Sequence, residues 1–95
     1  MHHTECPTSE MSIVFTQLHA GKQAPELKVY SHTAFIVNVR GYVPPVQYQL
    51  HYRFSLADQS KQFNIIQSYS LDNIVHFTVA AAGKYTLRCD AKLVH

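Results

Sequence analysis

The chain has 95 residues, of which 46% are hydrophobic and 15% charged, a balance that is typical of one folded domain and excludes a disordered tail. Eight Lys and Arg against six Asp and Glu leave a net charge of +2, which is too small to predict nucleic acid as a partner. No run approaches the roughly 20 apolar residues of a membrane-spanning helix, so no membrane insertion is expected.

The chain begins with a polar segment. Residues 1–10, MHHTECPTSE, lack the apolar centre of a secretory signal and are predicted to be a flexible N-terminal arm before a single domain at residues 11–95. Cys6 lies in this arm and Cys89 lies in an apolar pattern. The two cysteines allow one disulfide bridge, but one exposed thiol and one buried thiol are the favoured interpretation.

Apolar and polar residues alternate with a period of two in most of the chain, which predicts short β-strands and no helix. Three segments in the first half have this character: 12–16, 27–30 and 33–39, the last being rich in β-branched residues and expected to be a central strand. A stronger alternation follows at 46–54. Its predicted core face consists of Val46, Tyr48, Leu50, Tyr52 and Phe54.

Three further strands are predicted in the second half: 62–67, expected at a sheet edge, then 73–79 and 84–93. In the last strand, the alternation separates a core face from a polar face. The core face is Tyr85, Leu87, Cys89, Ala91 and Leu93, and the polar face is Lys84, Thr86, Arg88, Asp90 and Lys92. Six or seven strands separated by frequent turn residues predict an all-β, antiparallel sandwich.

The segment Ala80–Leu87, Ala-Ala-Ala-Gly-Lys-Tyr-Thr-Leu, resembles the G-x-Y-x-hydrophobic pattern of immunoglobulin-like, fibronectin-like and polycystic-kidney-type domains. Together with the tyrosine-rich strand Tyr48–Tyr52, it is similar to the three-tyrosine modules of bacterial sensor ectodomains and to accessory modules of bacterial surface-polysaccharide glycosyltransferases. The resemblance implies an immunoglobulin-like sandwich in which Gly83 and Tyr85 form a structural corner. It also implies a non-catalytic accessory module of a larger bacterial protein.

Tyrosines near turns are the candidate ligand platforms, because a sugar ring stacks on an exposed aromatic ring while polar neighbours hold its hydroxyl groups. The candidate rings are Tyr30, Tyr42 and Tyr69. Tyr42 with Arg40 and Gln47 forms one predicted group, and Tyr69 with Gln67 and Asp72 forms the other. These residues make carbohydrate a candidate ligand, beside a protein partner or the rest of the parent chain.

No catalytic residue, metal site or cofactor is predicted. The chain has no GxSxG motif, and burial is expected to raise the pKa of the Cys89 thiol. A small metalloprotein using His51 and His76 is an alternative that needs their strands to be neighbours. A nucleic-acid platform is disfavoured because the basic residues are not expected to cluster and the aromatic residues lie on the predicted core face.

A further alternative is a self-assembling or partner-binding structural protein. In this interpretation, the edge strand 62–67 pairs with another chain, since only Lys61 protects that segment with a charge.

Overall fold

The structure is a computed structural model and describes residues 8–14, 22–23, 27–30 and 32–95. Within these ranges the protein is all-β, and no helix long and apolar enough to cross a membrane is found there. The strands are β1 (Thr8–Val14), β2 (Lys22–Gln23), β3 (Leu27–Val29), β4 (Thr33–Arg40), β5 (Gln49–Ala57), β6 (Phe63–Ser70), β7 (Ile74–Val79) and β8 (Gly83–Val94).

The strands form two sheets. The first has the order β1-β4-β7, with β4 in the centre as the sequence predicts. In the second sheet, β8 lies between β5 and the short strands β2 and β3, which pair with different parts of β8, while β6 lies outside β5. The position of β6 confirms the predicted edge strand among the described residues.

One pairing departs from the predicted antiparallel arrangement. β1 runs parallel to β4, with Thr8 opposite Ala34 and Val14 opposite Arg40. Parallel neighbours need a long connection that returns the chain to its starting end. Here the connection includes β2 and β3, which belong to the other sheet.

Buried side chains from both sheets form one hydrophobic core. The alternation predicts the inward faces of the long strands correctly. The buried members are Phe35, Val37 and Val39 on β4, Leu50, Tyr52 and Phe54 on β5, Val75 and Val79 on β7, and Leu87 and Cys89 on β8. Phe54 and Leu87 are completely buried, and each contributes roughly 1.5–3 kcal/mol of hydrophobic free energy.

The predicted start of β5 is wrong. Val46 is fully exposed and Tyr48 is 38% exposed, because a turn follows Pro44 and Pro45 in which the Tyr48 amide donates to the Pro45 carbonyl at 2.9 Å. The Tyr48 amide is used within this turn, so the strand begins only at Gln49.

The first strand also begins elsewhere than the sequence suggests. β1 starts at Thr8, inside the segment 1–10 that is predicted to be an arm. Cys6 lies outside the described residues, and so does any pairing between it and Cys89.

A corner joins the two sheets between β7 and β8. The Tyr85 hydroxyl donates a hydrogen bond of 2.9 Å to the Ala81 carbonyl. This bond connects the beginning of β8 to the loop before it. Gly83 has a φ of 156°, which residues with a Cβ rarely adopt. Gly83 and Tyr85 together therefore fix the path of the chain from one sheet to the other.

Tyr85→Phe tests the contribution of this corner. We expect the free energy of unfolding to fall by about 1 kcal/mol, because the hydroxyl bond is lost while the ring is retained. Urea denaturation measures the change. Tyr30→Phe is the control at an exposed ring, with an expected change below about 0.5 kcal/mol. Equal values for the two variants would contradict the role of the corner bond.

Candidate binding face

The outward side of the second sheet carries a cluster of cations, which we call the cationic face. It consists of Lys28, Arg53, Lys84, Arg88 and Lys92. β8 supplies Lys84, Arg88 and Lys92 at every fourth position, on one side of the strand and about 13 Å apart. Lys28 lies opposite Lys84, and Arg53 lies opposite Asp90, so both neighbouring strands add to the same side.

The cationic face contains five of the eight Lys and Arg residues of the chain. Asp90 is the one carboxylate among the described outward-facing residues of these strands. The sequence-based interpretation that the basic residues are not clustered is therefore wrong. They are dispersed along the chain, and the pairing of β3, β5 and β8 brings them together.

Asp90 lies between two guanidinium groups. Arg53 donates from Nε and Nη2 to Oδ2 at 3.3 and 3.1 Å, and Arg88 donates from Nε and Nη2 to Oδ1 at 3.2 and 3.1 Å. The Asp90 side chain is 8% exposed, whereas those of Arg53 and Arg88 are 35% and 38% exposed. Since a guanidinium has five N–H groups, each Arg keeps three that Asp90 does not use. Asp90 thus orients two partly exposed donors.

Tyr69 lies beside the same cluster. The Arg53 Cζ atom is 4.8 Å and the Lys92 Nζ atom is 4.1 Å from the centre of its ring, distances typical of cation–π contacts. The ring is partly buried. Tyr69 is predicted as an exposed platform for a sugar, but in the structure its ring contacts two cations and helps to hold them in place.

The remaining predicted site residues fall into two places. Gln67 and Asp72 meet at Ser70, whose hydroxyl accepts from the Gln67 Nε2 and from the Asp72 amide, both at 3.2 Å. Arg40 is exposed at the end of β4 in the other sheet, and Tyr42 is partly buried against the core. The structure thus keeps Gln67, Tyr69 and Asp72 in one segment, and Arg40 and Tyr42 in another.

A shallow pocket adjoins the cationic face. It has a volume of about 270 Å³ and is lined by Ala57, Lys61, Phe63 and Thr86. Thr86 lies opposite Ala57, and Ala57 lies opposite Phe63, so the pocket spans β8, β5 and β6. An apolar wall therefore lies next to the positive charge.

The histidine alternative has no geometric support. His51 lies on β5 opposite Lys92, whereas His76 lies on β7 of the other sheet opposite Ile36. No group of three or more His, Cys, Asp or Glu residues suited to a metal ion occurs within the described ranges. The condition for a shared site, that the two strands be neighbours, is not met.

Cys89 is a completely buried thiol. Burial, with a smaller effect of the Asp90 carboxylate, raises its pKa to about 12. The direction agrees with the prediction from its apolar strand face. A thiol with this pKa is protonated at neutral pH and is a poor nucleophile.

Arg53, Asp90 and the β8 cations are not predicted as a site from the sequence. The signal that could have found them is the polar half of the alternation in β5 and β8, which places Arg53, Arg88, Asp90 and Lys92 on outward faces. The alternation does not show that β5 and β8 pair, so it does not show that these residues lie together.

Asp90→Asn tests the central ion pairs. We expect the free energy of unfolding to fall by about 1–3 kcal/mol, because two guanidinium groups lose their buried charged partner. Urea denaturation measures the difference. Asp72→Asn, in an exposed turn, is the matched control and is expected to change stability by less than about 0.5 kcal/mol. A neutral Asp90→Asn variant would contradict a structural role for the carboxylate.

A thiol assay tests the burial of Cys89. In a Cys6→Ser chain, Cys89 is the sole thiol, and we expect no reaction with a disulfide reagent at about pH 8 in the folded protein. In denaturant, one thiol per chain is expected to react. Reaction of the folded protein at the rate of a free thiol would show that Cys89 is accessible.

Comparisons with protein-family models, with curated proteins and with solved structures gave no match to this chain.

Proposed function

We propose that this chain is a non-catalytic, immunoglobulin-like sandwich that serves as an accessory module and binds an acidic polysaccharide through the cationic face. The immunoglobulin-like assignment is supported by two sheets with one shared core and by the hydrogen bond of Tyr85 to Ala81 between them. The observation that carries the binding proposal is the cationic face itself, with five cations and one carboxylate.

The local charge explains why an anion would bind there. The cationic face has a surplus of four positive charges, whereas the whole chain has a net charge of +2. Arg53 and Arg88 have planar guanidinium groups that match the two oxygens of a carboxylate or sulfate. Lys84 and Lys92 lie at either side of Arg88 along β8 and extend the positive charge over several sugar units.

A polysaccharide fits the face better than a nucleic acid does. Binding of a single strand needs successive aromatic rings on which bases stack, and Tyr69 is partly buried under its contacts with Arg53 and Lys92. Tyr30, which is 85% exposed and follows β3 beside Lys28, offers one open ring, enough for one sugar.

A protein partner is disfavoured for this face. The centre of a protein interface usually contains large apolar or aromatic anchors that become buried. The centre of the cationic face is instead the ion-paired group of Arg53, Arg88 and Asp90. The apolar wall of the pocket at Phe63 lies at one side, where the apolar face of a sugar ring would contact it.

A pair of charge variants tests the proposal. Lys84→Gln/Lys92→Gln lowers the charge of the face by two, and Arg40→Glu lowers the charge by two at the end of β4 in the other sheet. Calorimetric titration with polygalacturonate at low salt is expected to show binding about tenfold weaker for the first variant and unchanged for the second. Added salt should weaken binding to the unmodified chain.

Other probes separate the alternatives. Neutral dextran is expected not to bind, because it has no charge for the guanidinium groups. Equal loss of polygalacturonate binding in both variants would show that only the net charge matters and would overturn the proposal. Tighter binding of single-stranded DNA or of an acidic peptide than of polygalacturonate would assign the face to another class of partner and also overturn it.

A further inference from the structure

β6 is an edge strand with an open side. It pairs with β5 on one side, and no described strand pairs with the other. An unpaired edge presents backbone N–H and C=O groups that can bind another strand. Large apolar side chains lie along it or just beyond its end: Ile65 is 57%, Ile66 37% and Leu71 58% exposed.

The edge lacks the charged side chains that often protect an edge strand against pairing. Residues 62–71, Gln-Phe-Asn-Ile-Ile-Gln-Ser-Tyr-Ser-Leu, contain no charged side chain. Charged residues flank this uncharged segment, with Lys61 before it and Asp72 after it. Both are exposed. The segment therefore has a positive end and a negative end.

These opposite ends select one kind of partner and one orientation. When two copies of the segment pair antiparallel about a twofold axis, the Lys61 end of each copy lies beside the Asp72 end of the other. Parallel pairing would instead bring like charges together, which destabilises paired strands. We propose that β6 binds β6 of a second copy in the antiparallel orientation and joins two five-stranded sheets into one continuous sheet.

The geometry of β6 limits the strength of this contact. The pairing of β6 with β5 shifts register twice, between Tyr52 and Phe54 and between Phe54 and Ser55, so β6 has two irregular positions. Such bulges increase the local twist and shorten the regular ladder. The interface is small by the standard of permanent dimers, which bury about 2,000 Å² or more, so the dimer forms reversibly with concentration.

Sedimentation velocity over a concentration series tests the proposal with matched variants. Ile66→Lys places a charge on the β6 edge, and Ile74→Lys makes the same change on β7, at the edge of the other sheet, where the exposure is similar, 37% against 42%. The unmodified chain and Ile74→Lys are expected to dimerise with rising concentration. Ile66→Lys is expected to raise the dimer dissociation constant at least about tenfold.

Charge exchange tests the orientation. Lys61→Glu alone and Asp72→Lys alone place like charges at both ends of the antiparallel pair, and each is expected to raise the dissociation constant about fivefold. The double variant Lys61→Glu/Asp72→Lys is expected to restore it. A chain that stays monomeric at about 1 mM, a loss in Ile74→Lys but not in Ile66→Lys, or a double variant without recovery would overturn the proposal. None of these outcomes depends on polysaccharide binding, so either proposal can be overturned while the other stands.

Discussion

Nine consecutive residue pairs join β5 to β8, and the rest of the protein is arranged around this ladder. On its inner side, Phe54 lies opposite Cys89 and Leu56 lies opposite Leu87, and three of these four side chains are completely buried in the shared core. On its outer side, Arg53 lies opposite Asp90. One pairing register therefore sets both the packing of the core and the position of the ion pairs, and a slip by one residue would exchange the two faces.

The positive charges of the cationic face repel one another, and the ion pairs with Asp90 offset this repulsion only in part. Asp90 compensates Arg53 and Arg88, but Lys28 lies directly opposite Lys84 with no described acid between them. Like charges on opposite strands destabilise a sheet by a fraction of a kcal/mol, and this repulsion persists while the face is empty. An anion that neutralises the lysines would relieve this repulsion, and the relief would contribute to the binding free energy of the anion.

How far the sequence predicts the structure depends on the range of each interaction. The inward faces of β4, β5, β7 and β8 are predicted correctly, because alternation is a local property of each strand. The start of β5 is predicted wrongly, because the turn after Pro45 outweighs the alternation at Val46 and Tyr48. The parallel pairing of β1 with β4, and the meeting of Lys28 with Lys84, depend on contacts between distant parts of the chain. No periodicity in the sequence reports such contacts.

The pairing of β8 has a consequence for the order of folding. β8 binds β2, β3 and β5, and all three precede it in the chain. During synthesis, the second sheet cannot close until β8 has left the ribosome, so β5 and β6 are made before the strand that pairs with the other side of β5. Folds dominated by such distant contacts form slowly, in roughly milliseconds to seconds, because loop closure precedes the stabilising contacts. In that interval the uncharged segment 62–71 is open to pairing with another molecule.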